Sequence, residues 1–203
     1  MDIHETTHLP VSFNPSMTGQ VAIAIAIAAL VSVGTLALLY SGMPIFGPIN
    51  DFTNAINGLL IALLVWQFHA MLRDNTLRLA ILLLLVAGVG TLAIVINSVL
   101  VAFGAMHWMT GALYTAVGYG LLGIWFFGLL RLLGPQPFLT PRLVRLGTIA
   151  AIAMLFGLLA GPALVTRVSL TDNPLVGVVY VGAAAGWLLF PVWCWLVGRM
   201  LLQ

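Results

Sequence analysis

Six stretches of this chain each run for about twenty residues or more with almost no charged side chain, which is the length an α-helix needs to cross the ~30 Å hydrocarbon layer of a membrane. That pattern leaves few folds open, because a backbone surrounded by lipid has no water to bond and must satisfy its own N–H and C=O groups. The first stretch, QVAIAIAIAALVSV from Gln20, alternates as a β-strand would. A lone strand would leave its backbone unpaired in lipid, whereas a helix pairs its own. The expected fold is therefore all-α: a polytopic integral membrane protein of six transmembrane helices, arranged as three helical hairpins with short loops.

The boundaries follow from prolines, amides and arginines. Residues 1–16 are polar, contain Pro10 and Pro15, and read as a cytoplasmic N-terminal tail. The transmembrane domain covers 17–203, with spans at about 18–40, 49–72, 76–103, 107–131, 141–166 and 174–199. Asp2 and Glu5 precede the first span without any cation, the wrong charge for a cleaved signal peptide, so that span is expected to be retained. Thr140 is a natural N-cap, with Pro141 at the first helical position. Pro162 and Pro191 fall inside the fifth and sixth spans and should kink or break them.

Orientation is read from arginine, since the chain has no lysine. With six spans, Arg73, Arg78, Arg131, Arg142, Arg145 and Arg199 share one side and Arg167 alone takes the other. The positive-inside rule then puts both termini in the cytoplasm, in what is expected to be a bacterial cytoplasmic membrane. Trp108 at one end, with Trp193 and Trp195 toward the other, reads as a pair of interfacial aromatic belts.

Composition closes off several functions. Charged residues make up 6% of the chain against roughly 25% in a soluble domain. No basic stripe exists to follow a phosphate backbone, so nucleic acid is not expected as a partner. Cys194 is the lone cysteine. His69 and His107 belong to opposite ends of their helices and cannot share a haem iron, while His4 and His8 lie on the polar tail without a carboxylate or thiolate. No cofactor and no metal site is expected. Hydrolase and metalloprotease signatures are missing, no carboxylates pair within a span, and no ionisable group sits near the midplane. The chain is expected not to be an enzyme.

The polar groups that remain cluster at the outward end. Asn50, Asn54 and Asn57 are spaced i, i+4, i+7 and share one helix face. Asn57, Asn97 and Tyr114 come from three spans at about one depth. A candidate polar pocket of Asn54, Asn57, Asn97 and Tyr114 follows, with Asp51, His107, Arg167 and Asp172 at its rim. The competing reading makes the same amides interhelical hydrogen bonds that fix register, with Asn50 or Asp51 capping the second span. Gly-Thr-Leu/Ile-Ala recurs at Gly34, Gly90 and Gly147, about 57 residues apart, as a hairpin repeat would require. Gly182 to Gly186, GAAAG, is a small-residue patch suited to close helix contact.

Two functions fit. The first is a non-enzymatic accessory or assembly subunit that packs against partner helices or lipids in a membrane complex. The second is a facilitator or binding protein for a small neutral or amphipathic solute, using the outward polar pocket. Expected partners are membrane lipids, with other membrane subunits or a second copy of the chain.

Overall fold

The computed structural model describes residues 13–133, 136–162 and 174–203, apart from the side chains of 73–76 and 174–180. The described residues are helical and contain no strand, and six helices are long and apolar enough to cross a membrane. The tail residues His4 and His8 lie outside the described residues.

Helix α1 spans Pro15–Tyr40. The Asn14 side chain caps it by accepting from the Met17 N–H at 3.0 Å, and Pro15 supplies the fixed φ of the first helical position. The chain just ahead of α1 is docked. Phe13 is buried, with its ring 6.2 Å from both Phe68 and Phe138. Gln67, which is buried beside it, accepts from the Asn14 N–H and the Thr18 hydroxyl, each at 3.4 Å. The tail expected to end at residue 16 thus contributes its last residues to the base of the bundle.

Helical hydrogen bonding in α2 is continuous over Phe46–Ala102, yet the chain doubles back. A straight helix would hold residues 58 and 95 about 55 Å apart at 1.5 Å per residue. Instead, a Cβ on Gly58 would lie 2.8 Å from Val95 Cγ2, and the Phe52 ring stands edge-on to Phe103 at 5.6 Å. The element is two antiparallel arms, Phe46–Leu72 and Leu77–Ala102, which are the second and third spans.

Helix α3 runs Trp108–Leu132. Helix α4, Pro141–Leu155, starts on the expected Thr140 cap, whose hydroxyl accepts from the Leu143 N–H at 3.4 Å. It tightens into a 3-10 turn at Phe156–Leu159. Pro162 accounts for the irregularity, since its ring collides with the carbonyl of residue 158 and offers that carbonyl no N–H. Helix α5 covers Pro174–Leu201 with Pro191 inside it.

Neighbours in sequence are neighbours in space. The two arms of α2 pack together, the second arm packs on α3, α3 on α4, α4 on α5, and α5 returns to α1, which lies on α2. The result is a closed ring of six alternating helices. Its middle is filled by Phe68, Trp125, Phe126, Phe190 and Trp193, with Phe126 and Trp193 centroids 4.6 Å apart. Trp193 is fully buried and donates its indole N–H to the Leu143 carbonyl at 3.1 Å, so it is a core residue and not part of an interfacial belt. Trp108 and Trp195 are exposed.

Small residues bring the helices this close. A Cβ on Gly90 would lie 2.7 Å from the Gly118 carbonyl, and one on Gly118 would lie 2.8 Å from the Gly90 carbonyl. Gly19 and Gly198 join α1 to α5 in the same way. The GAAAG patch is used internally, because Gly182 faces Phe156 and Gly186 faces the Met154 backbone. The recurrent Gly-Thr positions agree only in part. Thr35, Thr91 and Thr148 each donate to the carbonyl four residues back, whereas Gly34 meets nothing and Gly90 and Gly147 are packed tightly.

Helix direction sets Arg78, Arg131, Arg142, Arg145 and Arg199 at one end of the ring, beside Phe13. This is the end that the positive-inside rule assigns to the cytoplasm.

Candidate functional site

At the end of the ring opposite the arginines, α1 and the first arm of α2 form a hairpin around Met43, so residues equally distant from it face each other. Ser32 lies eleven residues before Met43 (43 − 32) and Asn54 eleven after it (54 − 43). The Ser32 hydroxyl lies 2.8 Å from Asn50 Oδ1 and 2.9 Å from Asn54 Oδ1, and its single proton serves both amides. The Thr35 hydroxyl donates to its own helix at Val31 O and reaches Asn50 Oδ1 at 3.4 Å.

Asn50 therefore does not cap α2, and neither does Asp51. The helix begins three residues earlier than the expected 49, at Phe46, with Ile45 as an N-cap that makes no side-chain bond. Pro48 fits the first turn because the N–H it lacks would have no acceptor there. Asn50 and Asp51 are thereby placed inside the helix. Asn50 turns toward α1, and Asp51 stays half-buried near the end opposite the arginines.

The four expected pocket residues do not converge. Asn54 is engaged with Ser32. Asn97 is buried and donates from Nδ2 to the Ala93 carbonyl at 2.7 Å, within its own helix. Tyr114 is 42% exposed and lies on the outer surface of α3. At 3.6 residues per turn, Tyr114 and Tyr119 point about 140° apart, so only one of them can face inward. Tyr119 is the inward one, and it is 5% exposed.

Asn57, 1% exposed, is the pocket residue that does reach the interior. Its Oδ1 and the Tyr119 hydroxyl are both buried without a hydrogen-bond partner among the described residues. Asn57 and Trp187 lie within reach of the Tyr119 hydroxyl, but no pair among them meets hydrogen-bond geometry. Three helices, α2, α3 and α5, thus meet at mid-depth around two unsatisfied polar atoms.

Of the expected rim, His107 is exposed and caps α3, accepting from the Met109 N–H at 3.4 Å. Arg167 and Asp172 lie outside the described residues. At the arginine end, His69 is half-buried beside Trp66, their rings 6.1 Å apart, and its Nδ1 has no partner among the described residues. Among the described residues no group of three or more His, Cys, Asp or Glu side chains could hold a metal ion, and Cys194 is buried.

Beyond this set, the structure adds Ser32, Thr35, Tyr119 and Trp187. The hairpin register around Met43 already pairs Ser32 with the amide face. The choice of Tyr119 over Tyr114 needs the rotation of α3 about its axis. Gly118 packs on the second arm of α2 and Gly123 on α4, and Tyr119 lies on the side of α3 between these two contacts.

No protein family matches the chain, and neither curated proteins nor solved structures provide a similar one.

Proposed function

We propose that this integral membrane protein is a non-enzymatic accessory or assembly subunit, docking on partner helices within a membrane complex. The observation that carries the reading is the use made of the amides at this end, since Asn50 and Asn54 are both bound to Ser32 of the neighbouring helix. A second feature supports it. The second arm of α2 presents Leu82, Leu85, Val89, Leu92 and Ile96, all exposed, at alternating spacings of three and four residues. That is the periodicity of a helix seam able to take a partner's side chains between its own. Gly88 lies on the same surface and meets no neighbour within 4 Å, leaving room for close approach.

Extraction of the full chain from its native membrane in mild detergent tests this. A partner subunit at fixed stoichiometry is expected, and it should be lost from Val89→Trp while that variant keeps the stability of the parent. Recovery of the chain alone, or only as a homo-oligomer, overturns the reading.

A further inference from the structure

Three of the arginines stand together on the outside of two packed helices. Helix α3 reaches the arginine end of the ring with Arg131, and α4 starts there with Arg142 and Arg145, all three exposed. Gly123 of α3 packs on Met154 of α4, and Leu130, seven residues later, packs on Gly147, seven residues earlier. Continued by one residue, that register sets Arg131 level with residue 146, beside Arg145. Arg142 lies one turn further out, about 4.5 Å at 1.5 Å per residue. A Cβ on Gly123 would stand 2.9 Å from the Ala151 carbonyl, so the two helices are no further apart than the ~8–10 Å of ordinary packing. Guanidinium groups on such neighbours can share one anion.

These cations crown apolar surface. Arg131 continues the exposed stripe of Ile124 on α3, while Arg142 and Arg145 continue Ile149 and Ile152 on α4 at spacings of three and four residues. The Arg131 guanidinium lies over the Phe127 ring, 5.0 Å from its centroid and one turn back along the helix. Among the described residues none of the three has an ion pair or a side-chain hydrogen bond. The one side-chain carboxylate described, that of Asp51, stands at the opposite end of the ring. Unpaired positive charge at the edge of hydrocarbon calls for an anion that carries its own apolar chain. A phosphate suits it, because the planar guanidinium fork takes two phosphate oxygens at once, and basic sites between helices at this end of a bundle receive phospholipid headgroups. A zwitterionic headgroup would bring its ammonium into the same positive field, so a headgroup with net negative charge is favoured.

We propose that the outer face of α3 and α4 binds an anionic phospholipid, its phosphate held between Arg131 and Arg145 with Arg142 adding charge, and an acyl chain lying along Phe127, Ile124 and Ile152. The site uses other helices than the exposed seam of α2 and stands whether or not a partner subunit docks there.

Native mass spectrometry of the full chain, delipidated in a neutral detergent and titrated with dioleoyl phosphatidylglycerol or dioleoyl phosphatidylcholine, tests the assignment. The parent should bind phosphatidylglycerol at least about fivefold more tightly than phosphatidylcholine, and excess glycerol phosphate, which has the headgroup without the chains, should not displace it. Arg131→Gln and Arg145→Gln should each weaken phosphatidylglycerol binding about fivefold, the ~1 kcal/mol of one arginine at a membrane surface. Both side chains are exposed, so these variants should keep the parent's thermal stability. Arg199→Gln, at the same end of the ring but on α5 next to the Gly198 contact with α1, should leave binding unchanged. Equal binding of the two lipids by the parent overturns the proposal, as does displacement by glycerol phosphate. So does a loss from Arg199→Gln as large as that from Arg131→Gln, which would mark a diffuse charge effect and no site.

Discussion

Gly88 and Gly90 stand two residues apart on one helix, and the ring arrangement predicts opposite consequences for the same substitution. An alanine at 88 meets nothing within 4 Å, so Gly88→Ala brings only the gain in helix propensity, up to about 1 kcal/mol. At 90 the new methyl would lie 2.7 Å from the Gly118 carbonyl, where ordinary contact begins at 3.4 Å. The second arm of α2 must then retreat from α3 by 0.7 Å (3.4 − 2.7), and rigid backbone stands on both sides of the contact. Overpacking of this kind costs ~1–3 kcal/mol. The propensity gain is common to both variants and cancels, so Gly90→Ala should be less stable than Gly88→Ala by about 1–3 kcal/mol. Titration of the helical circular dichroism signal with dodecyl sulfate in mixed micelles measures the difference. Equal shifts, or a Gly90→Ala variant more stable than Gly88→Ala, would show that α2 and α3 do not meet along this glycine seam.

Two further perturbations probe the arginine end and the sidedness. Phe13→Ala empties the site between Phe68 and Phe138 and should cost up to ~3–5 kcal/mol in the same titration; unchanged stability would mean that the segment ahead of α1 is not docked. Cys194 is buried and should stay silent to a membrane-impermeant maleimide, so single cysteines at exposed loop and end positions report topology. On intact cells Ser41→Cys and Ala105→Cys should label and Gln203→Cys should not; the reverse pattern, or a split between Ser41 and Ala105, refutes six crossings with cytoplasmic ends.

Much of this architecture is legible in the residues. Apolar runs of membrane length, separated by prolines and arginines, fix six helices, and the Thr140-Pro141 start lies where capping chemistry puts it. What escapes a linear reading is rotation about each helix axis. Asn54 and Asn97 lie at the expected depth, but one turns to Ser32 and the other folds onto its own helix. Tyr114 is the tyrosine expected by depth, but it is Tyr119 that falls on the side of α3 between its contacts with α2 and α4. The same applies to Trp193, which is close enough to the helix end to resemble a belt residue and is rotated into the core. Helix starts are also shifted by proline. Pro48 reads as a turn, yet it sits inside the first turn of α2, and that carries Asn50 from a capping position to an interhelical bond.

The claim on which the functional reading rests is that Asn50 and Asn54 join helices. A double-mutant cycle between Ser32→Ala and the Asn50→Leu/Asn54→Leu pair measures this directly in the dodecyl sulfate titration. A coupling energy near the ~0.6 kcal/mol average for membrane hydrogen bonds, and up to ~1.7 kcal/mol, is predicted. Strictly additive losses, with no coupling between α1 and α2, would contradict it.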